Sequence, residues 1–202
     1  MQSARLIHCL LWDFGDTLAV WRGGSPKWID AYNSPSWREH VGPAWNVGQI
    51  STNEAIEHLA KLLNMTESEV LVHLMRVDLF EFFPFTRRFF MSRHRPQSIV
   101  TANPPLFRQA AIALALGDVT DSIVISGEEG TIDKGLLCET ALRRMGGGCT
   151  NDRALLIDNK QSNLDAWSAR GGIGYLYTND ASFQRDVANG VDGLVSEYND
   201  GA

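Results

Sequence analysis

Five short apolar runs decide what this chain can fold into: Leu6–Trp12, Ser98–Val100, Ile123–Ile125, Ala154–Ile157 and Ile173–Tyr177. Each is nearly continuous rather than alternating, as a strand covered on both faces should be. Between the last four lie helical repeats, first Leu106, Ala110, Ala113 and Leu114, then Leu137, Ala141 and Met145. Strands that alternate with helices form crossover units, and crossover units build a parallel sheet. At 202 residues the chain can bury a full core as one domain, or as one domain carrying a smaller insertion.

The stretch between the first two runs has a different character. From about Trp21 to Pro84 there is no strand candidate, only helix signals. Ser51-Thr52-Asn53-Glu54 and Thr66-Glu67-Ser68-Glu69 both have the form of a capping box. Each precedes an apolar stripe: Ala55, Leu59 and Leu62 in one, Val70, Leu74 and Val77 in the other. Some sixty residues are too many for a crossover, so the block reads as an inserted helical subdomain. Its tryptophans, Trp21, Trp28, Trp37 and Trp45, are expected to fill that subdomain's own core, with one or two left to line a pocket. The aromatic run at residues 80–90, FEFFPFTRRFF, is expected to pack the insertion against the core.

Charge and cysteine usage exclude several function classes. The net charge of −6 gives no basic field to attract nucleic acid. The local basic stretch Arg87-Arg88 to Arg93-His94-Arg95 reads as a solvated face. Cys9, Cys138 and Cys149 are odd in number and lack metal-ligand spacing, which suits reduced thiols in a cytoplasmic protein. No apolar run is long enough to span a membrane, and the N-terminus lacks the layout of a signal peptide. The expected partners are therefore a small-molecule substrate, without nucleic acid or membrane, for a monomer or homodimer.

In a parallel sheet, ligands bind beyond the carboxyl ends of the strands. After the first run come Asp13, Gly15, Asp16 and Thr17; after the second, Thr101 and Asn103. After the third come Ser126-Gly127-Glu128, with Lys134 opening the next helix; after the fourth, Asp158, Asn159 and Asn163. Two carboxylates, a hydroxyl and an ammonium converge on one edge. Such a set suits displacement at phosphorus, in which a carboxylate attacks to form an acyl-phosphate. A hard divalent cation would relieve repulsion between that carboxylate and an anionic substrate, while lysine and hydroxyl hold the phosphoryl oxygens. GEEGTIDKG at 127–135 lacks P-loop spacing, and Gly146-Gly147-Gly148 follows a helix as a terminator.

The order and spacing of these motifs resemble the haloacid dehalogenase (HAD) superfamily of hydrolases. LLWDFGDTL matches its first motif, SIVTAN its second, VISGEEGTIDKG the segment leading to its third-motif lysine, and LLIDNKQSNLDAWSARGG its fourth. GQISTNEA is similar to the family's helical cap. The resemblance implies a three-layer α/β/α Rossmann-like core with a five-stranded parallel sheet of order 5-4-1-2-3, plus a small helical cap. It divides the chain into a core, 1–19 and 85–202, and a cap, 20–84. It implies Asp13 as nucleophile, with Thr101 and Lys134 on the phosphate side and Thr17 and Asn103 toward substrate. Mg2+ would sit on Asp13, the Gly15 carbonyl and Asp158, with Asn159 as a neutral further donor.

Two departures from that pattern bear on activity. Where the family's phosphatases carry a second aspartate, acting as general acid and base, this chain has Gly15. Its loss removes a catalyst worth about 10²- to 10⁴-fold. In the fourth motif Asn159 takes the place of a second acid, which adds no charge for a metal. The expected function is a Mg2+-dependent phosphatase for a small phosphorylated metabolite, slowed by Gly15. The alternatives are an inactive ligand- or partner-binding relative and a hydrolase of the dehalogenase or phosphonate-cleaving type.

Overall fold

The five apolar runs do form one sheet. The computed structural model describes residues 7–93, 95–146 and 148–190, so Leu6, His94, Gly147 and the chain ends of the expected core lie outside the described residues. Strands β1 (Cys9–Trp12), β4 (Gln97–Thr101), β5 (Ser122–Ile125), β6 (Ala154–Asp158) and β7 (Ile173–Leu176) lie parallel in the order β5-β4-β1-β6-β7. Counted along the chain within this sheet alone, that reads 5-4-1-2-3 from the β7 edge.

Successive residues of each central strand feed opposite faces. Leu10 and Trp12 of β1 join Leu155 and Ile157 of β6 beneath α5 (Pro84–Met91), α6 (Phe107–Ala113) and α10 (Asp180–Ala188). Cys9, Leu11, Ala154 and Leu156 pack on the other face beneath α8 (Lys134–Met145) and α9 (Gln161–Ser168). The result is three layers. Cys9 and Cys138 are buried as small apolar groups, and all three cysteines are free thiols. The outer strand β7 departs from the expected continuous burial: Gly174 and Leu176 are exposed, and Tyr177 falls just past the strand.

The insertion forms its own apolar cluster, in which Trp28, Trp37 and Trp45 pack against Leu59, Leu63 and Val70. It comprises α1 (Pro26–Asn33), a π-helical turn Trp37–Val41, α2 (Gly42–Asn46), α3 (Thr52–Leu63) and α4 (Glu67–Leu74). Both capping boxes close: Ser51 Oγ accepts from the Glu54 N–H at 3.2 Å while Glu54 accepts from the Ser51 N–H at 2.7 Å, and Thr66 and Glu69 do the same. The buried stripe of α3 is Ala55, Ile56, Leu59 and Leu63, whereas Leu62 turns outward. No helix among the described residues is long and apolar enough to cross a membrane.

One element contradicts the sequence reading. The expected strand-free stretch is bracketed by β2 (Ala19–Trp21) and β3 (Phe80–Phe82), paired antiparallel. This ribbon forms the two connections into and out of the insertion, and Phe14 packs edge-on against Phe80 and Phe82 of β3. The basic stretch is also less free than expected: Arg87 lies over the Phe82 ring, Arg88 over Phe85, and Arg93 pairs with Asp121.

The insertion is seated on the core at one tight point. Ser126 Oγ donates to the Asn46 carbonyl at 2.6 Å, and a Cβ on Gly48 would lie 2.3 Å from the Gly127 carbonyl oxygen. Gly48 also has φ +67°, a conformation that disfavours other residues. Gly48→Ala should therefore cost about 1–3 kcal/mol in urea denaturation. Gly117→Ala, where a Cβ meets open space, should stay within about 0.5 kcal/mol of wild type.

Candidate active site

The carboxyl ends of β1, β4 and β6 meet at one buried ammonium. Lys134, the first residue of α8, is 2% exposed and its ammonium is ringed by oxygens from three strand ends. It donates to Asp13 Oδ1 at 2.8 Å and to the Val100 carbonyl at 2.8 Å, and it contacts Asp158 Oδ2 at 3.0 Å. Asp13 follows β1 and is 8% exposed; Asp158 ends β6 and is fully buried. Lysine is a poor choice for a helix N-terminus, where the dipole repels it, so the two carboxylates are what hold it there. The close approach of α8 to α9 brings it within reach: a Cβ on Gly135 would lie 2.4 Å from Arg170 Nε and 2.8 Å from the Ala166 carbonyl.

Asp158 is occupied on both oxygens. Oδ1 accepts from the Lys160 N–H at 2.8 Å and Asn163 Nδ2 at 3.0 Å; Oδ2 accepts from Asn163 Nδ2 at 2.9 Å and faces Lys134. In this arrangement Asp158 anchors the lysine and is itself held by Lys160 and Asn163. Its neighbour Asn159 presents a further oxygen: the Oδ1 atom is buried with no hydrogen-bond partner among the described residues. Asn163 thus holds Asp158 rather than capping α9.

The remaining residues of the first and second motifs lie around this centre. After Asp13 the chain turns tightly, with the Phe14 carbonyl accepting from the Leu18 and Ala19 N–H groups, at 2.9 and 3.1 Å. Gly15 and Asp16 are exposed at the turn, and Asp16 takes φ +58°, which aspartate tolerates. Asp16 shares an open cleft with Asn159. Thr17 is buried, and its hydroxyl oxygen has no partner among the described residues. Thr101, at the end of β4, accepts from Asn103 Nδ2 at 2.6 Å, which leaves its own hydroxyl proton available to donate.

The cluster of Asp13, Asp158 and Lys134 carries one excess negative charge in a buried place. Burial pushes the Asp13 carboxyl above the usual carboxylate range; Lys134 pulls it back, but the adjacent Asp158 charge adds to the rise, and the rise wins. For Lys134, burial disfavours the ammonium, yet Asp13 and Asp158 outweigh it and hold its pKa above the ordinary lysine value. The lysine therefore stays charged. A further cation would relieve the excess charge. No group of three or more His, Cys, Asp or Glu side chains gathers as a metal cluster among the described residues. Mg2+ needs none, since it commonly keeps several waters and takes one or two carboxylates. The orphaned Asn159 oxygen, the Asp13 carboxylate and the Gly15 carbonyl at the exposed turn are hard oxygen donors that fit such an ion.

No protein-family model and no curated protein sequence matches the chain. Solved structures do. An enzyme of the HAD family from Bacteroides thetaiotaomicron, in complex with magnesium and inorganic phosphate, aligns with a TM-score of 0.65 at 10% identity, covering 86% of this chain and 95% of that one. L-2-haloacid dehalogenase from Xanthobacter autotrophicus, with chloropropionic acid covalently bound, aligns at 0.62 and 12% identity over 92% and 84%. This chain has the haloacid dehalogenase fold. A HAD phosphatase from Thermococcus onnurineus aligns more loosely, at 0.56 and 15% identity over 85% and 86%. The HAD fold accounts for the strand order and for the gathering of four sequence-distant motifs at one sheet edge.

Removing the ammonium should expose the electrostatic frustration it relieves. Lys134→Met leaves two buried carboxylates facing each other and should cost about 3–5 kcal/mol at pH 7. A carboxyl whose folded-state pKa is raised contributes stability that is present at low pH and lost as pH rises through the folded value. The deficit relative to wild type, measured by urea denaturation, should therefore be smaller at pH 5 than at pH 7.

Proposed function

We propose that this chain is a HAD-type hydrolase that transfers a phosphoryl group from a small molecule to Asp13 and then to water. The observation that carries the reading is the buried Lys134 joining Asp13 to Asp158, because a turn aspartate without a catalytic task would not be held against a desolvated ammonium. A carboxylate oxygen of Asp13 attacks phosphorus and the ester P–O bond breaks. Water then attacks the acyl-phosphate, which releases phosphate and restores Asp13.

The residues present divide the remaining work. Thr101 has a proton to donate to a phosphoryl oxygen, and Asn103 fixes its rotamer. Lys134, bonded to Asp13 and the Val100 carbonyl and paired with Asp158, contributes through its charge. A Mg2+ ion on Asp13, the Gly15 carbonyl and Asp158, with Asn159 as a neutral further donor, would supply charge neutralisation between nucleophile and substrate. The insertion, residues 20–84, serves as a cap that excludes water. Gly15 offers the leaving group no proton, so turnover on alkyl phosphates is slow.

A second reading follows from the missing acid at Gly15: displacement at carbon, as in dehalogenases, which needs no leaving-group proton. Turnover of a 2-halo acid that persists in EDTA would select it.

Asp13→Asn should abolish phosphate-ester hydrolysis without unfolding the protein. A Cβ on Gly15 meets nothing within 4 Å, so a side chain can begin there without a clash. Gly15→Asp should raise kcat on alkyl phosphates by about 10²- to 10⁴-fold in the presence of Mg2+. If neither wild type nor Gly15→Asp hydrolyses any ester in a broad panel, the phosphatase reading fails and a binding role takes its place.

A further inference from the structure

A cavity of about 460 Å³ opens between the cap and the segment that follows β4. Four of its wall residues, Trp21, Tyr32, Trp37 and Trp45, form an unbroken chain of edge-to-face rings. Their centroids are 5.1, 5.3 and 5.9 Å apart, with interplanar angles of 88°, 75° and 76°. Among the described residues no Lys, Arg, Asp, Glu or His lines the cavity; its lining residues with polar side-chain groups are three asparagines, Tyr32 and the tryptophans. Burial pushes the Tyr32 phenol up, so the wall stays uncharged. Ile29, 51% exposed, marks the rim.

The cavity adjoins the reaction centre through two covalently short links. Asn103 lines it and donates to Thr101. Phe14, the residue after Asp13, packs its ring against Phe107 at 4.7 Å and Phe80 at 5.3 Å, both of which are cavity walls. A space of this size suits a small organic ligand, and its uncharged walls, aromatic over one side, suit an aromatic body.

We infer that the cavity binds an uncharged aromatic group, the body of an aryl ester whose phosphate faces Asp13. The inference rests on the hydrolase reading for the ester and on the cavity alone for the aromatic body. Gly15 points the same way. In the first step the Asp13 oxygen bonds to phosphorus and the P–O(aryl) bond breaks, with its electron pair leaving on the phenolate oxygen, which then takes a proton from water. A phenol of pKa about 10 can depart without an enzyme acid, whereas an alkoxide cannot readily do so.

The test uses the full chain with Mg2+, calorimetric titration with 2-naphthol, and hydrolysis of 2-naphthyl phosphate beside glycerol 2-phosphate. Saturable naphthol binding is expected, weakened at least fivefold by Ile29→Asp at the exposed rim and further by Ala110→Phe, which fills the cavity. The aryl ester should be preferred in kcat/KM by 10-fold or more, and Gly15→Asp should narrow that preference. Naphthol binding without hydrolysis of either ester would uphold the cavity and overturn the hydrolase reading. Hydrolysis of glycerol 2-phosphate equal to that of the aryl ester, with no naphthol binding, would keep the hydrolase and overturn the cavity. Binding that Ile29→Asp and a folded Ala110→Phe both leave unchanged would also overturn it.

Discussion

Everything at the sheet edge depends on one desolvated ammonium. Taking Lys134 out of water costs several kcal/mol, and the cost is offset by two hydrogen bonds and an ion pair, each to an oxygen of a different strand end. Asp13 speaks for β1, the Val100 carbonyl for β4 and Asp158 for β6. These strands are adjacent in the sheet, so the charge sits where three parallel strands stop together. A buried charge of this kind is a poor stabiliser when compared with apolar packing. What it does supply is register, because no slip of β1 or β6 by one residue would keep both carboxylates on the same side.

The fold was legible because its signals are local and repeated. Near-continuous apolar runs announced the buried strands, and S/T-x-x-E sequences announced both cap helices down to the reciprocal hydrogen bonds. The β2–β3 ribbon was illegible for equally physical reasons. Its strands are only three residues long and lie nearly sixty residues apart, too short to show a period, so pairing rather than pattern creates them. The stripe of α3 slipped by a residue at its end because Leu62 and Leu63 are both leucine, and only packing within the insertion's cluster decides which one is buried.

The site was legible in its membership more than in its wiring. Asp13, Thr101, Lys134 and Asp158 were placed by the strand that each follows, and the fold brings them to one rim. That Asp158 spends its acceptors on Asn163 and Lys160, and that Asn159 is left with an unpartnered oxygen, depends on side-chain direction within two consecutive residues. Sequence spacing does not carry that information. The cavity tryptophans were divisible between packing and pocket only in three dimensions: Trp28 stacks on His73 at 3.7 Å while Trp21, Trp37 and Trp45 face the space.

The two oddities of the motifs make sense together on the proposed hydrolase reading. Glycine in place of the acid and asparagine in place of a second acid would both weaken catalysis at the reacting centre, one by withholding a proton and the other by withholding charge. Binding energy from a remote part of a substrate can be spent to position the reacting group, and an aromatic body in the aromatic cavity of the insertion would supply such energy. An aryl leaving group would also lower the demand for the missing proton. An insertion rich in tryptophan and a motif poor in acids are thus consistent with one proposed substrate chemistry.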